Sequence, residues 1–436
     1  MFNDVKEISL SKGRQNRSAI LDLTWVRSQF PALALEVAGK PAVFFDGPGG
    51  TQVPRRVIDA ISDYLIRSNA NTHGGFLTAR RTEEMLAEAH AAIADLLGCE
   101  AREVVFGANM TSLTFALSRS IGREIEPGDE IVVTQLDHDA NVAPWRALEE
   151  RGAVIRVADF RPEDCTLNLD HLYSLLSDRT KLVAVGYASN AAGSINDVQA
   201  ITKAAHDAGA LCFVDAVHYA PHGPLDVQAI GCDFLACSAY KFFGPHVGVL
   251  YGKAEHLERL RPYKVRPAPG EIPGCWETGT QNHEGLAGVI AAVDYLAELG
   301  RRHRHADSCS AEPAVRREML VEAMRAIQQY ERGLSEELIS GLLAIPGLRF
   351  YGIRDPQQFG HRTPTVSIRL DGLSPRRLAE YLGEQGIFTW DGNYYAINVT
   401  ERLGVEDSGG MVRIGLAHYN TRGEITRLLE TLRQAR

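Results

Sequence analysis

Residues 211 to 250 constrain this chain more than any other stretch. They hold two short apolar runs, Leu211 to Val214 and Phe234 to Cys237, each too short for a helix and each ending in polar residues. Runs of this kind read as buried strands of a parallel sheet. Asp215 follows the first, Ser238 and Lys241 follow the second, and a glycine-bearing turn comes next. Ligands in open α/β sheets bind outside the carboxyl ends of strands. An acid and a lysine at two such ends therefore mark a candidate cofactor site.

The pair suits one cofactor chemistry in particular. Pyridoxal phosphate requires a lysine for its Schiff base and an acid that keeps its ring nitrogen protonated. Asp215 and Lys241 fit those roles; a strand-end Asp and a solvated Lys are the plainer reading of either residue alone.

The rest of the chain gives that site a setting. From about 100 to 250 strand patterns alternate with helical ones, which implies a mostly parallel sheet. Strands are expected at 103–107, 130–134, 154–157 and 181–186, with helices at 53–66, 82–97, 197–208 and 283–299. Residues 1–18 read as a mobile arm, and Asp22 or Thr24 caps a short helix. The arm and helix (1–45) are expected to join a small domain at 301–436, beside a large domain at 46–300. The small domain should contain a helical stretch at 312–343, with a break at Gly333. It should also contain strands near 348–351, 363–370 and 411–416, helices at 375–384 and 422–434, and a loop at 389–409.

Candidate site residues sit where strands end. Asn109-Met110-Thr111 opens a helix after a strand, which offers free backbone N–H groups and a hydroxyl to a phosphate, or a simple N-cap. His138 follows the strand at 130–134 and has the shape to lie flat on an aromatic ring; a surface loop histidine is the alternative. Asn190 follows the strand at 181–186 and suits a cofactor oxygen, a substrate carboxylate or a plain turn. The segment 69–81 reads as a loop whose His73, Arg80 and Arg81 either contact substrate or are solvated. Asp46-Gly-Pro-Gly-Gly-Thr51 lacks the Gly-Lys-Ser/Thr ending of a P-loop and reads equally as a tight turn.

Composition narrows the function classes. A net charge of −9 argues against nucleic-acid or acidic-membrane partners. No apolar run is long enough to span a bilayer, and the first thirty residues lack a signal-peptide core, so a cytoplasmic location is expected. The seven cysteines are scattered and form no CxxC, which fits reduced thiols better than a disulfide framework or a zinc site. No metal site is expected. His303 and His305, in a basic run, are candidates only for adventitious metal.

With these motifs in this order, the chain resembles the class V aminotransferase family, pyridoxal phosphate enzymes of fold type I, in its cysteine desulfurase-like branch. The resemblance runs from about Asp46 to the C-terminus. It implies a seven-stranded-type, mostly parallel sheet with a small C-terminal α+β domain. By resemblance, Lys241 is the Schiff-base lysine, Asp215 the acid on the ring nitrogen and His138 the stacked histidine. Met110, Thr111 and Ser238 hold the phosphate, and Asn190 and His218 contact the cofactor. Thr280 reaches the phosphate of a neighbouring subunit, which implies a homodimer with active sites at the subunit interface. Arg413 grips the substrate α-carboxylate, for which a bidentate guanidinium is suited.

Two departures shape the expected activity. Tyr240 stands where desulfurases carry His before the lysine. The loop Trp390 to Gly404 has no cysteine, where desulfurases place the nucleophile that takes sulfur. The hydroxyls of Tyr394 and Tyr395 are poor substitutes for a thiolate. Cys275 either approaches the site or is structural. The expectation is a lyase acting on a sulfur-bearing or similar β-substituted amino acid. An aminotransferase or epimerase of the same family, and a non-catalytic scaffold, are the alternatives. His73, Arg80, Tyr394 and Tyr395 are expected to shape the substrate pocket.

Overall fold

The computed structural model describes residues 21–307 and 315–435; the expected mobile arm lies outside them. Its centre is a seven-stranded sheet. In chain order the strands are β1 (Val104–Gly107), β2 (Glu130–Thr134), β3 (Val154–Ala158), β4 (Thr180–Gly186), β5 (Leu211–Asp215), β6 (Phe234–Ser238) and β7 (Gly248–Gly252). Their spatial order is β1-β7-β6-β5-β4-β2-β3. All neighbours are parallel except β7, which runs antiparallel to both β6 and β1.

Alternate residues of the central strands feed two different cores. Val183, Val185, Val214, Leu235 and Cys237 pack on one face. Leu182, Ala184, Phe213, Phe234 and Ala236 pack on the other. A strand covered on both faces loses polar alternation, which is why these strands read as unbroken apolar runs. The register sets Asp215 beside Gly186 of β4 and Ala236 of β6, so the ends of β5 and β6 open onto one edge.

A second sheet is antiparallel throughout. It contains β8 (Leu348–Tyr351), β9 (Thr365–Leu370), β10 (Trp390–Gly392) and β11 (Met411–Gly415), in the order β8-β9-β11-β10. The expected loop at 389–409 is corrected by β10 and by a helix at Ile397–Arg402. Three and six residues are too few to display a period, so neither element was legible. The expected loop at 69–81 is also shorter. A helix runs Leu77–Leu97 and takes in Arg80 and Arg81; its N-cap, Phe76, makes no side-chain cap.

A 28-residue helix, Arg316–Leu343, joins the two layers. Met319, Leu320, Ala323 and Ile327 pack in the large core, whereas Leu334, Leu338, Ile339 and Leu342 pack in the small one. Gly333 does not interrupt it, because a helical glycine lowers propensity without removing a hydrogen bond. The helix expected to end at Leu299 continues, spanning His283–Asp307. Near the N-terminus, Val26 and Phe30 enter the large core. Val43–Phe44 pairs in parallel with Ile387–Phe388 of the C-terminal region.

Candidate active site

The lysine is held by a glycine-rich loop. Lys241 ends the turn Ala239–Lys241 that follows β6. Its Nζ donates to the Pro48 carbonyl and lies 4.7 Å from the centre of the Tyr240 ring. Thr51 N donates to Tyr240 O at 3.0 Å, and Phe243 N donates to Thr51 Oγ1 at 2.9 Å. The loop 46–51 therefore clasps the lysine turn. A Cβ at Gly49 would lie 2.1 Å from the indole nitrogen of Trp390, so only glycine fits as placed.

Burial reshapes the charges here. Lys241 is pushed down to about 7, by burial first and then by Arg413, with Asp215 pulling the other way. Asp215 is pushed up to about 6 by burial, although its Oδ1 accepts from Val217 N at 2.9 Å and Lys241 favours its charge. A buried lysine poised near neutrality is a competent base as well as a nucleophile.

His138, Asn190 and Arg413 converge from three further segments. His138 Nδ1 accepts from Ala140 N at 3.0 Å, which leaves the ring proton on Nε2. Burial, then Lys241 and Arg413, push its pKa down to about 4, so the ring is neutral. Its face stacks on Tyr395, with centroids 5.4 Å apart. Arg413 lies within β11, and its Nη1 donates to Asn190 O at 2.9 Å. Asn190 Nδ2 donates to Tyr394 O at 3.0 Å, and the Tyr394 ring centre lies 4.3 Å from the guanidinium carbon. Tyr394 and Tyr395 both adopt left-handed backbone, with φ of +57° and +60°. Such strain in bulky residues persists only where the surroundings impose it. Here Asn190, Asp139 N on Tyr395 O (2.7 Å) and Asn393 Oδ1 on Tyr395 N (3.1 Å) supply the restraint.

At the other end of the site a helix begins at Met110, capped by Asn109 Oδ1 accepting from Ser112 N at 2.8 Å. Met110 N donates to Ser238 Oγ at 3.3 Å, which joins this helix start to the end of β6. Thr111 is exposed on its first turn. His218 follows β5, is buried, and shares a 3.1 Å hydrogen bond with Thr363.

The remaining candidates make other contacts. His73 and Arg80 are exposed and bond within their own region, to Glu83 and to Gly75 O. Thr280 is exposed, just after Glu277, whose carboxylate anchors the segment by accepting from Phe106 N at 2.8 Å and bonding His90 Nε2 at 2.9 Å. Cys275 packs with Trp276 in the core and burial raises its thiol pKa, which fits the structural reading. Tyr240 stacks on His246, and burial raises its hydroxyl pKa. His303 bonds Glu322 at 2.8 Å. No group of three or more His, Cys, Asp or Glu able to hold a metal occurs among the described residues. No helix among them is long and apolar enough to cross a membrane.

Two acids, half-buried Asp46 and buried Asp137, escaped the sequence reading. Asp46 is raised to about 6 by burial, with Arg413 favouring its charge. Asp137 is raised to about 8 by burial and by Asp215, while its Oδ1 accepts from Gly186 N at 2.7 Å. Each adjoins a motif that was noticed: Asp46 opens the glycine loop and Asp137 precedes His138. Neighbourhood in sequence was the only signal available. Asp46 Oδ1, Asn190 Oδ1 and Arg413 Nε are buried without hydrogen-bond partners. Buried polar atoms are rarely left so, and Asp46 is tied to Arg413 electrostatically and Asn190 by a hydrogen bond.

A lysine and an acid at adjacent strand ends, with an arginine and a neutral histidine beside them, define an enzyme-type site on an α/β scaffold. The family model for Aminotransferase class-V matches residues 43–320 and 314–428, and the chain belongs to that family. It is 33% identical over 423 residues to a probable cysteine desulfurase of Synechocystis sp., covering 93% of this chain and 94% of that protein. It is 32% identical over 426 residues to a cysteine desulfurase of Serratia proteamaculans, with coverage of 94% and 97%. Among solved structures, the apo cysteine desulfurase of Thermococcus onnurineus NA1 matches with a TM-score of 0.82 at 26% identity, covering 94% and 97% of the two chains. A cysteine desulfurase from Escherichia coli matches with a TM-score of 0.80 at 26% identity, covering 95% and 98%. The scaffold is thus fold type I, as the motifs implied.

Proposed function

We propose that this chain is a pyridoxal phosphate-dependent lyase that removes a β-substituent, sulfur above all, from an amino acid. The observation that carries this is the buried Lys241, poised at about 7 beside an acid at the end of the adjacent strand. The family and the desulfurase relatives support the cofactor assignment. The unpartnered buried atoms of Asn190, Asp46 and Arg413 fit a polar ligand at the same place.

Pyridoxal phosphate, when bound, supplies an electron sink for negative charge at the substrate α-carbon. The chain's residues do the rest. Lys241 Nζ holds the cofactor and, as a neutral amine, takes the α-proton. Asp215 holds a proton at the ring nitrogen, and its own burial keeps water from competing for it. Neutral His138 offers a flat face to the ring. Ser238, Thr111 and the N–H groups at the start of the helix after β1 bind phosphate. Asn190 and His218 orient the ring's polar edge. Arg413 binds the substrate carboxylate, and Tyr394 and Tyr395 line the approach.

The absence of cysteine from residues 390–404 favours release of the sulfur group over its capture on the protein. The functional unit is a homodimer, in which Thr280 completes the phosphate site of the neighbouring subunit. The exposed apolar residues Ile58, Leu65, Ile66, Phe76 and Leu77 support such an interface. His73 and Arg80 lie in the same exposed region and serve substrate from there.

The test is product analysis. The protein loaded with pyridoxal phosphate is given L-cysteine and β-substituted analogues, and pyruvate, alanine and sulfide are assayed. Pyruvate with sulfide supports the lyase. Alanine with sulfide would mean desulfuration. An α-proton exchanged in heavy water without either product would sink elimination in favour of epimerisation.

A further inference from the structure

The inference concerns His218 and rests on the cofactor-facing role just proposed for it. His218 Nε2 lies 3.1 Å from Thr363 Oγ1. That hydroxyl also lies 3.2 Å from Gly193 O, to which it donates. With its proton directed to Gly193 O, the hydroxyl accepts from the imidazole. His218 Nδ1 makes no hydrogen bond to the described residues.

Thr363 is not free to move away. Thr363 N donates to Gly193 O at 2.8 Å, and Ile195 N donates to His361 O at 2.9 Å. The adjacent Arg362 is buried, and its guanidinium bonds Ala192 O at 3.3 Å, Thr365 O at 2.6 Å and Ile353 O. Gly193 has φ +81°, and a Cβ there would lie 2.4 Å from Thr365 O. The two segments are therefore clamped backbone to backbone, with the threonine hydroxyl held between them.

A buried pair stands behind His218 on its other side. The His222 ring meets the His218 ring edge to face, with centroids 5.4 Å apart. His222 Nδ1 lies 2.8 Å from Glu331 Oε2, with both side chains buried. Glu331 Oε1 has no protein partner. Glu331 also borders a cleft of about 250 Å³ with His222, Arg325 and Thr363. The pair fixes the ring that limits His218 from behind. Burial is the largest cause that pushes His218 towards the neutral form, and the neighbours His222 from its own turn, Arg413 from β11 and Lys241 from the turn after β6 act in the same direction.

We propose that Thr363 is a positioning residue that locks His218 as the neutral Nε2–H tautomer and turns a bare Nδ1 lone pair towards the cofactor site. An imidazole so held accepts a hydrogen bond and keeps a proton on the ring hydroxyl it faces. An amide N–H in its place would favour the ring oxyanion instead.

The measurement is ¹⁵N NMR of the full-length protein labelled at its 14 histidines, recorded with and without pyridoxal phosphate. His218 is assigned by its loss in His218→Gln. The expected pattern is Nε2 protonated and Nδ1 bare, unchanged in Thr363→Ser and mixed in Thr363→Val. In the loaded protein, Thr363→Val and His218→Gln should both move absorbance to longer wavelength, whereas Thr363→Ser should not. A wild-type Nδ1–H pattern, or an unaltered pattern in Thr363→Val, overturns the proposal. Should Thr363→Val not fold, the wild-type pattern decides alone. The expected tautomer in a protein that never binds pyridoxal phosphate would refute the cofactor reading and leave the role of Thr363 standing.

Discussion

The two halves of the site are built by different means. The half that bears Lys241, Asp215 and His138 hangs from ends of parallel strands whose both faces are buried. The half that bears Tyr394, Tyr395 and Arg413 comes from the small antiparallel sheet and a segment with two strained residues. In the first, position follows from the strands. In the second, Arg413 is placed by β11, and Tyr394 and Tyr395 by contacts with distant segments, such as Asn190 on Tyr394. The comparison teaches that a side chain at the end of a buried strand is placed by its own segment, whereas one in an irregular segment is placed by what packs against it.

That contrast can be broken or sharpened. The largest effect is expected from Lys241→Ala, which should lower turnover more than about a thousandfold and abolish the absorbance of covalently held cofactor. Residual turnover above a tenth of wild type would remove the lysine from the mechanism.

Asp215→Asn comes next and separates function from stability. The folded pKa of Asp215, about 6, lies above the ordinary 3.8. The folded state therefore binds more protons between those values, and stability falls as pH rises through them. Above pH 6 the penalty is complete, up to about 3 kcal/mol. The variant without cofactor should melt several degrees higher than wild type at pH 7 and equally at pH 3.5, while activity is lost. Equal melting at both pH values would show that the site does not strain the acid.

Arg413→Lys tests the substrate half alone. Loss of bidentate pairing should raise KM by about fiftyfold, near 2 kcal/mol, with cofactor absorbance intact. A changed absorbance spectrum with normal KM would place Arg413 in the cofactor half instead.

The smallest effect joins the halves. Gly49→Ala brings a methyl against Trp390 and should cost about 1 kcal/mol. Trp390→Ala in the same chain should recover most of it, measured by denaturant unfolding as a double-mutant cycle. Additive costs would mean that the two residues do not touch.

Legibility in the sequence divides along the same line. Asp215 and Lys241 could be picked out because apolar runs of four residues end beside them. Arg413 was found only through resemblance, since nothing local distinguishes a buried arginine from an edge one. Asp46, Thr363 and the strand at Trp390 were missed for a common reason. Their roles depend on partners outside their own segment: Arg413 and His218, each more than a hundred residues away, and β11, about twenty residues on. The left-handed backbone at Tyr394 and Tyr395 was invisible because neither residue favours it. The early start of the helix at Leu77 was invisible because no capping side chain announces it.

The helix Arg316–Leu343 carries a thermodynamic consequence. It is about 42 Å long, and its first half is held by one core and its second by the other. A single rod shared in this way makes each core a ligand of the other. Fraying in one shortens the rod available to its neighbour, so damage to either is felt in both. Calorimetry of the cofactor-free protein should then record one cooperative transition, and two separate peaks would mean that the rod melts at its middle first.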